Sequence, residues 1–163
     1  MGRIISVKQV KKTFGQNPGK IVLVGGCFDI LHPGHIIFLE KAKKKGNMLV
    51  VLLESDKKVT KLKGDGRPIH TQEERAKVLQ ALRFVDIVIM LPFLEHQKEY
   101  DSVVQEIKPS IIAATRGYSN IKYYKRTAKL TGAKLRHITK VIGYHSSTRI
   151  LKLGAGLLKK SIV

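Results

Sequence analysis

The sequence predicts an α/β domain built on a five-stranded parallel sheet with helices on both faces. Three observations carry that expectation. Five short apolar runs rich in β-branched residues recur: IVLVGG (21–26), MLVVLLES (48–55), DIVIMLPF (86–93), SIIAAT (110–115) and, more weakly, KLRHITKV (134–141). None alternates strictly, which is the pattern of strands buried on both faces. Stretches of helical spacing separate these runs, and strands that alternate with helices pair in parallel through right-handed crossovers. Finally, 163 residues, 43% of them hydrophobic and 26% charged, suit one well-buried core in a single domain spanning 1–163.

The remaining elements follow in order. Residues 1–18 contain RIISVKQVKKTF (3–14), an amphipathic segment that mixes apolar and basic positions. A helix is predicted over 35–45, closed by Gly46. KVTKLKGDGRPI (58–69), with Gly64, Gly66 and Pro68, reads as a flexible basic loop. Thr71 followed three residues later by Glu74 is a capping box that opens a helix over 71–83. Further helices are predicted over 99–108 and 120–132, and a last one from Ser146 or Ser147 towards Lys160, within a C-terminal segment 145–163. The whole is Rossmann-like, and ligands of such sheets bind beyond the carboxyl ends of the strands, where strand order reverses.

Composition excludes some functions and favours others. No apolar run reaches the roughly 18 residues that span a bilayer. The N-terminal stretch lacks the apolar core and cleavage site of a secretory signal. Cys27 is the single cysteine, so no internal disulfide forms, and a reducing, cytoplasmic setting is expected. Against 31 Lys and Arg stand 12 Asp and Glu, a formal charge of +19. That field favours anions, whether nucleotides, phosphorylated metabolites, RNA or anionic lipid, although excess lysine is also a proteome-wide habit of some organisms.

The stretch VGGCFDILHPGHIIFLEKAKKKG (24–46) narrows the choice. Gly25 and Gly26 let the backbone turn tightly and bring its N–H groups close to a ligand. Pro33 and Gly34 open a helix whose first N–H groups point into the same space. His32 and His35 flank that turn, so both imidazoles converge on the helix N-terminus. Imidazole donors at a positive helix end make a site for a polyphosphate and stabilise charge that grows on it.

GGCFDILHPGH resembles the HxGH signature of the nucleotidyltransferase superfamily, also called cytidylyltransferase-like. The longer run from residue 4 to 92, through KLKGDGRPIHTQEERAKVLQALRFVDIVI, is similar to the adenylyltransferase domain of the ADP-heptose synthesis enzymes. The resemblance implies transfer of a nucleotidyl group from a nucleoside triphosphate to a phosphorylated acceptor, with release of pyrophosphate. ATP and a sugar phosphate are the expected pair; CTP with glycerol 3-phosphate, and ATP with flavin mononucleotide, are alternatives.

Residue roles are carried over by position. His32 and His35 are expected to hold the triphosphate and stabilise the transition state. Gly25, Gly26, Cys27, Phe28 and Gly34 would line the nucleotide. Asp29 matches the motif's acid and either braces the loop or approaches acceptor or metal. Lys63 is expected to act on triphosphate or acceptor, with Lys61 and Arg67 as further phosphate contacts. Arg75 sits in the first turns of a helix, where a cation needs an anionic partner, either a carboxylate near Glu74 or substrate, and the resemblance implies the substrate. In HSSTRI (145–150), Ser146 or Ser147 serves as a plain N-cap. The resemblance adds triphosphate contacts from Ser146, Ser147, Thr148 and Arg149.

Two departures bear on the acceptor. AATRGYSN carries Arg116 where relatives place an acid, so Arg116 is expected to lend charge to the acceptor pocket. TKVIGYHSST lacks the arginine of the glycerol-phosphate branch, which argues against CTP. Cys27 has no triad-like neighbours and is expected to be an inert thiol. No Cys/His spacing suggests a protein-held metal; Mg2+ is expected to arrive with the nucleotide, held by phosphates and water. A homodimer is left open. A non-enzymatic alternative is an RNA-binding domain that kept the fold, suggested by the charge and by Tyr123 and Tyr124 among cations in IKYYKRTAKLTGAKLRHITK (121–140). The pairing of His32 and His35 with SST speaks for the enzyme.

Overall fold

The computed structural model describes residues 1–15, 19–117, 121–140, 146–151 and 153. The elements run β1 (Arg3–Ser6), a 3-10 turn (Val7–Gln9), α1 (Val10–Phe14), β2 (Ile21–Gly26), α2 (Pro33–Lys43), β3 (Met48–Leu53) and α3 (Asp56–Lys63). They continue with α4 (Gln72–Gln80), β4 (Ile87–Met90), α5 (Gln97–Ile107), β5 (Ile111–Arg116), α6 (Ile121–Thr131) and β6 (Lys134–Lys140). A helical turn starts again at Ser147. The expected course of that last helix towards Lys160 lies outside the described residues.

All strands pair in parallel, in the order β1-β4-β3-β2-β5-β6. The sheet therefore has six strands among the described residues, not five. The added one, β1, comes from the N-terminal segment expected to be only amphipathic. It lies at the edge beside β4, with Arg3 and Ser6 exposed and Ile5 buried, which suits an edge strand.

Within the strands, odd and even positions feed two cores. Ile21, Leu23, Val50, Leu52, Ile89 and Ile112 face α1, α5 and α6. Val22, Val24, Leu49, Val51, Val88 and Ala113 pack with Leu39 of α2 and Leu79 of α4 on the other side. Doubly buried strands thus account for apolar runs without alternation.

The run 58–69 departs from expectation at its start: residues 56–63 are the helix α3. Ser55 caps it, its hydroxyl accepting from Lys58 N–H at 3.4 Å, and Val59 is fully buried beneath it. Loop geometry begins only at Gly64, whose φ of 90° ends the helix. The Thr71–Glu74 capping box forms as expected, with Thr71 N–H donating to Glu74 at 2.8 Å and Glu74 N–H to the Thr71 hydroxyl at 3.3 Å.

From β2 the chain builds β3 and β4 to one side, then crosses back to place β5 and β6 on the other. The reversal falls between β2 and β5, and the open carboxyl ends of those strands define where a ligand enters.

Candidate active site

The site starts with a glycine-ended strand. Gly25 and Gly26 still belong to β2, so the turn comes later than expected, at Cys27 and Phe28. Phe28 adopts φ 45°, the left-handed region, and its ring is buried. Gly26 is needed beneath it, because a Cβ there would stand 2.9 Å from the ring. The backbone then returns through Asp29 to His32, the N-cap of α2, with Pro33 in the first turn and no acid beside it.

His32 and His35 stack, with ring centroids 3.8 Å apart and planes 21° from parallel, and Phe28 lies against His35 at 5.3 Å. Burial drives the His35 imidazole down to about 3, helped by the charges of His32 and Lys63. It is therefore neutral at physiological pH. Its Nδ1 is buried without a hydrogen bond of normal geometry among the described residues, and the bond between the ring and the Ile30 backbone opposes the downward shift.

The second half of the site arrives from the other end of the chain. Ser146 caps the helical turn, its hydroxyl accepting from Arg149 N–H at 3.2 Å. The buried Ser147 hydroxyl accepts from Lys63 Nζ and from Arg67 Nη2, each at 3.0 Å. Desolvation holds the Lys63 ammonium below the usual lysine range, with the Arg67 and Arg75 charges adding to it.

These pieces surround one cavity of about 380 Å³ on the α2 face of the sheet. Gly25 to Phe28, His32, Gly34, His35, Lys63 and Ser146 to Thr148 all line it, with Thr139 and Lys140 of β6. Its described lining contains no carboxylate. A second cavity, of about 370 Å³, lies on the α5 and α6 face and shares Gly25, Gly26, Cys27 and Tyr124 with the first.

Other expected contacts fall elsewhere. Asp29 is buried and braces the loop: it accepts from Ile69 N–H at 2.7 Å and pairs with the Arg67 guanidinium. Burial opposes the charge of Asp29, but the bonds from Arg67, Ile69 and His70 outweigh it and hold the carboxyl below the usual range. Arg67, expected on phosphate, is thus spent on Asp29 and Ser147.

Arg75 is a clear correction, because its side chain is 0% exposed. It donates to the carbonyls of Cys27, His70 and Glu54 and pairs with Asp56 at 2.6 Å. Its anionic partner is Asp56 at the start of α3, not a carboxylate near Glu74, and its work is to hold the Cys27 turn. Lys61 is exposed and paired with Glu95 at 2.9 Å. Arg116 is exposed at the end of β5, and neither it nor Lys61 or Arg149 is among the residues lining the two cavities. Tyr118 and Ser119 of the acid-free stretch lie outside the described residues.

Residues that the motifs do not include also line the clefts: Thr115, Thr139 and Lys140 in the first, Glu54, Lys58, Gln97 and Tyr100 in the second; Tyr124, noted only as a nucleic-acid candidate, borders both. Their signal was position alone: Glu54, Thr115 and Thr139 fall at carboxyl ends of predicted strands.

An α/β domain that opens beyond its strand ends, onto imidazoles, hydroxyls and lysine without an acid, is of the nucleotide-handling class. Residues 23–152 match the cytidylyltransferase-like family, and the chain belongs to that family. It is 36% identical over 155 residues to the bifunctional protein HldE of Helicobacter pylori strain J99, across 93% of this chain and 31% of that one. With the HldE of Campylobacter fetus it shares 41% over 121 residues, 74% of this chain and 25% of the relative. The chain spans under a third of the length of these relatives. They bear out the similarity to the adenylyltransferase domain of the ADP-heptose synthesis enzymes.

Among solved structures, a lipopolysaccharide core biosynthesis protein from Thermoplasma volcanium GSS1 is 30% identical with a TM-score of 0.57, covering 75% of this chain and 96% of that one. A pantoate-beta-alanine ligase from Francisella tularensis, 17% identical with a TM-score of 0.63 over 85% of this chain and 67% of its own, shares the fold. No helix among the described residues is long and apolar enough to cross a membrane.

Proposed function

We propose that this chain is a cytoplasmic adenylyltransferase that moves AMP from ATP to the phosphate of a sugar phosphate and releases pyrophosphate. The observation that carries the reading is the acid-free cavity in which His32, His35, Lys63, Ser147 and Thr148 converge from two ends of the chain. The choice of ATP and a sugar phosphate rests on the similarity to HldE and to a lipopolysaccharide core biosynthesis protein.

In the reaction, an oxygen of the acceptor phosphate attacks the α-phosphorus of ATP. A new P–O bond forms, the bond to the bridging oxygen breaks, and pyrophosphate leaves with that electron pair. The acceptor phosphate is already ionised, so no general base is required. Catalysis comes from alignment and from charge stabilisation. His32 and His35 donate to the oxygens on which charge grows; Lys63 offsets the negative charge; the helix start at Ser147 and Thr148 receives the leaving phosphates. Mg2+ would come with the triphosphate, held by phosphate oxygens and water, and would neutralise charge on the leaving pyrophosphate.

The test is pyrophosphate release across ATP, CTP, GTP and UTP, each with sugar 1-phosphates, glycerol 3-phosphate and flavin mononucleotide. ATP with a sugar phosphate is expected to react. Reaction only with CTP and glycerol 3-phosphate, or only with flavin mononucleotide, overturns the substrate assignment. No reaction with any pair, together with RNA binding that His32→Ala leaves unchanged, replaces the enzyme by an RNA-binding domain.

A further inference from the structure

The two cavities divide charge between them. The one on the α2 face is lined by His32, His35, Lys63 and Lys140 with no carboxylate among its described residues. The one on the α5 and α6 face is walled by Leu23, Leu52, Val104 and Ile112 and carries two carboxylates, Glu54 and Glu95, against one cation, Lys58. Glu95 is engaged by Lys61; Lys58 donates to the carbonyl of Leu94 at 2.8 Å and keeps its charge, and Glu54 is the lining carboxylate with no ion pair among the described residues.

Glu54 directly follows β3, at the carboxyl edge of the sheet. Its backbone is fixed at both ends: its N–H donates to Gly26 at 3.1 Å, and its carbonyl accepts from Arg75 at 2.9 Å. One carboxylate oxygen accepts from the Tyr100 hydroxyl at 3.0 Å, while the other takes no hydrogen bond from the described residues. Burial raises the Glu54 carboxyl above its usual range, against the lowering effects of Tyr100, Lys58 and Arg75. A rigid, desolvated acceptor of hydrogen bonds is thus aimed into a small-molecule cavity that meets the phosphate cleft over Gly25 to Cys27.

We propose that Glu54 selects the acceptor: its carboxylate takes hydroxyl groups of a neutral, polyhydroxylated tail and turns away acceptors that carry a second anionic group. The inference rests on the transferase reading and adds a substrate class to it. The acceptor's single phosphate lies towards the imidazoles and Lys63, and its hydroxyls lie under Glu54 and Tyr100. A carboxylate or second phosphate at the tail meets a like charge in a desolvated pocket, which penalises the wrong partner strongly. Oriented by Tyr100, the carboxylate recognises hydroxyl donors that an amide accepts less strongly.

The experiment compares wild type with Glu54→Gln and Tyr100→Phe. Substrates are matched pairs: a sugar 1-phosphate that supports pyrophosphate release, and its 6-carboxylate or 6-phosphate counterpart. Wild type is expected to favour the neutral tail. Glu54→Gln is expected to raise the KM of the neutral acceptor by about tenfold. It should narrow the preference over the charged partner by roughly tenfold or more, with little change in the KM of the nucleoside triphosphate. Tyr100→Phe shifts the ratio in the same direction by less, and it carries the test alone if Glu54→Gln does not fold. An active enzyme whose preference is unmoved by both substitutions overturns the role of Glu54 and leaves the transferase reading standing. A wild type inactive with every acceptor sinks both.

Discussion

His35 illustrates how much a single side chain's surroundings decide. Buried against Phe28 and His32, it stays neutral to about pH 3, whereas in an unfolded chain it protonates near 6.5. Below 6.5 the unfolded state therefore binds a proton that the native state refuses. The native contribution is present in full above 6.5 and is lost as pH falls towards 3, with a slope of at most about 1.4 kcal/mol per pH unit. Denaturant melts across that range should show this slope in the ligand-free protein, and His35→Gln should remove about one proton's share of it. In the proposed mechanism His35→Ala deletes a donor to the reacting phosphate, and it is expected to slow the chemical step by roughly 10²- to 10³-fold, measured as single-turnover pyrophosphate release. Asp29→Asn works differently. It leaves the Arg67 guanidinium buried without its charge partner, which costs on the order of 3–5 kcal/mol, read from thermal or denaturant unfolding.

At the scale of elements, the glycine end of β2 and the two helix starts set the site. Gly26→Ala drives a methyl into the Phe28 ring, costs about 1–3 kcal/mol, and displaces the turn that leads to His32. Its activity should fall further than its melting temperature. By contrast, Thr71→Ala removes a cap at a residue that lines neither cavity; it should cost ~1 kcal/mol and leave turnover largely in place. The sequence revealed most of these elements, because buried parallel strands and caps are written in local composition. His32 and His35 were legible for the same reason: a histidine pair three apart at a strand-to-helix junction has little freedom in where it points. The strand β1 was not, because its pattern is that of an edge, and only pairing with β4 distinguishes it from an amphipathic segment. Arg75 shows the other kind of limit. Its charge at a helix start implies an anion, which the resemblance takes to be substrate; in the fold the anion is Asp56, 19 residues away in sequence. Glu54 and Tyr100, 46 residues apart, met only in three dimensions.

The whole molecule adds a long-range field. A formal charge of +19 attracts anionic substrates over distances that salt shortens, with a Debye length near 10 Å at 0.1 M and about 3 Å at 1 M. The KM of the triphosphate should therefore rise several-fold between low and high salt, and kcat should change less, because stacked imidazoles and buried hydroxyls are screened weakly. The shared boundary of the two cavities has a kinetic consequence. Gly25 and Gly26 contribute no side chain there, so the two cavities adjoin over bare backbone beside Cys27 and Tyr124, and the proposed product, with a nucleotide half and a sugar half, is expected to reach across both. The product of the proposed reaction has that form, and it behaves as a bisubstrate ligand: each half raises the effective concentration of the other. It should inhibit competitively against both substrates, and its departure, not bond making, should set the turnover rate, seen as a burst of product in the first cycle.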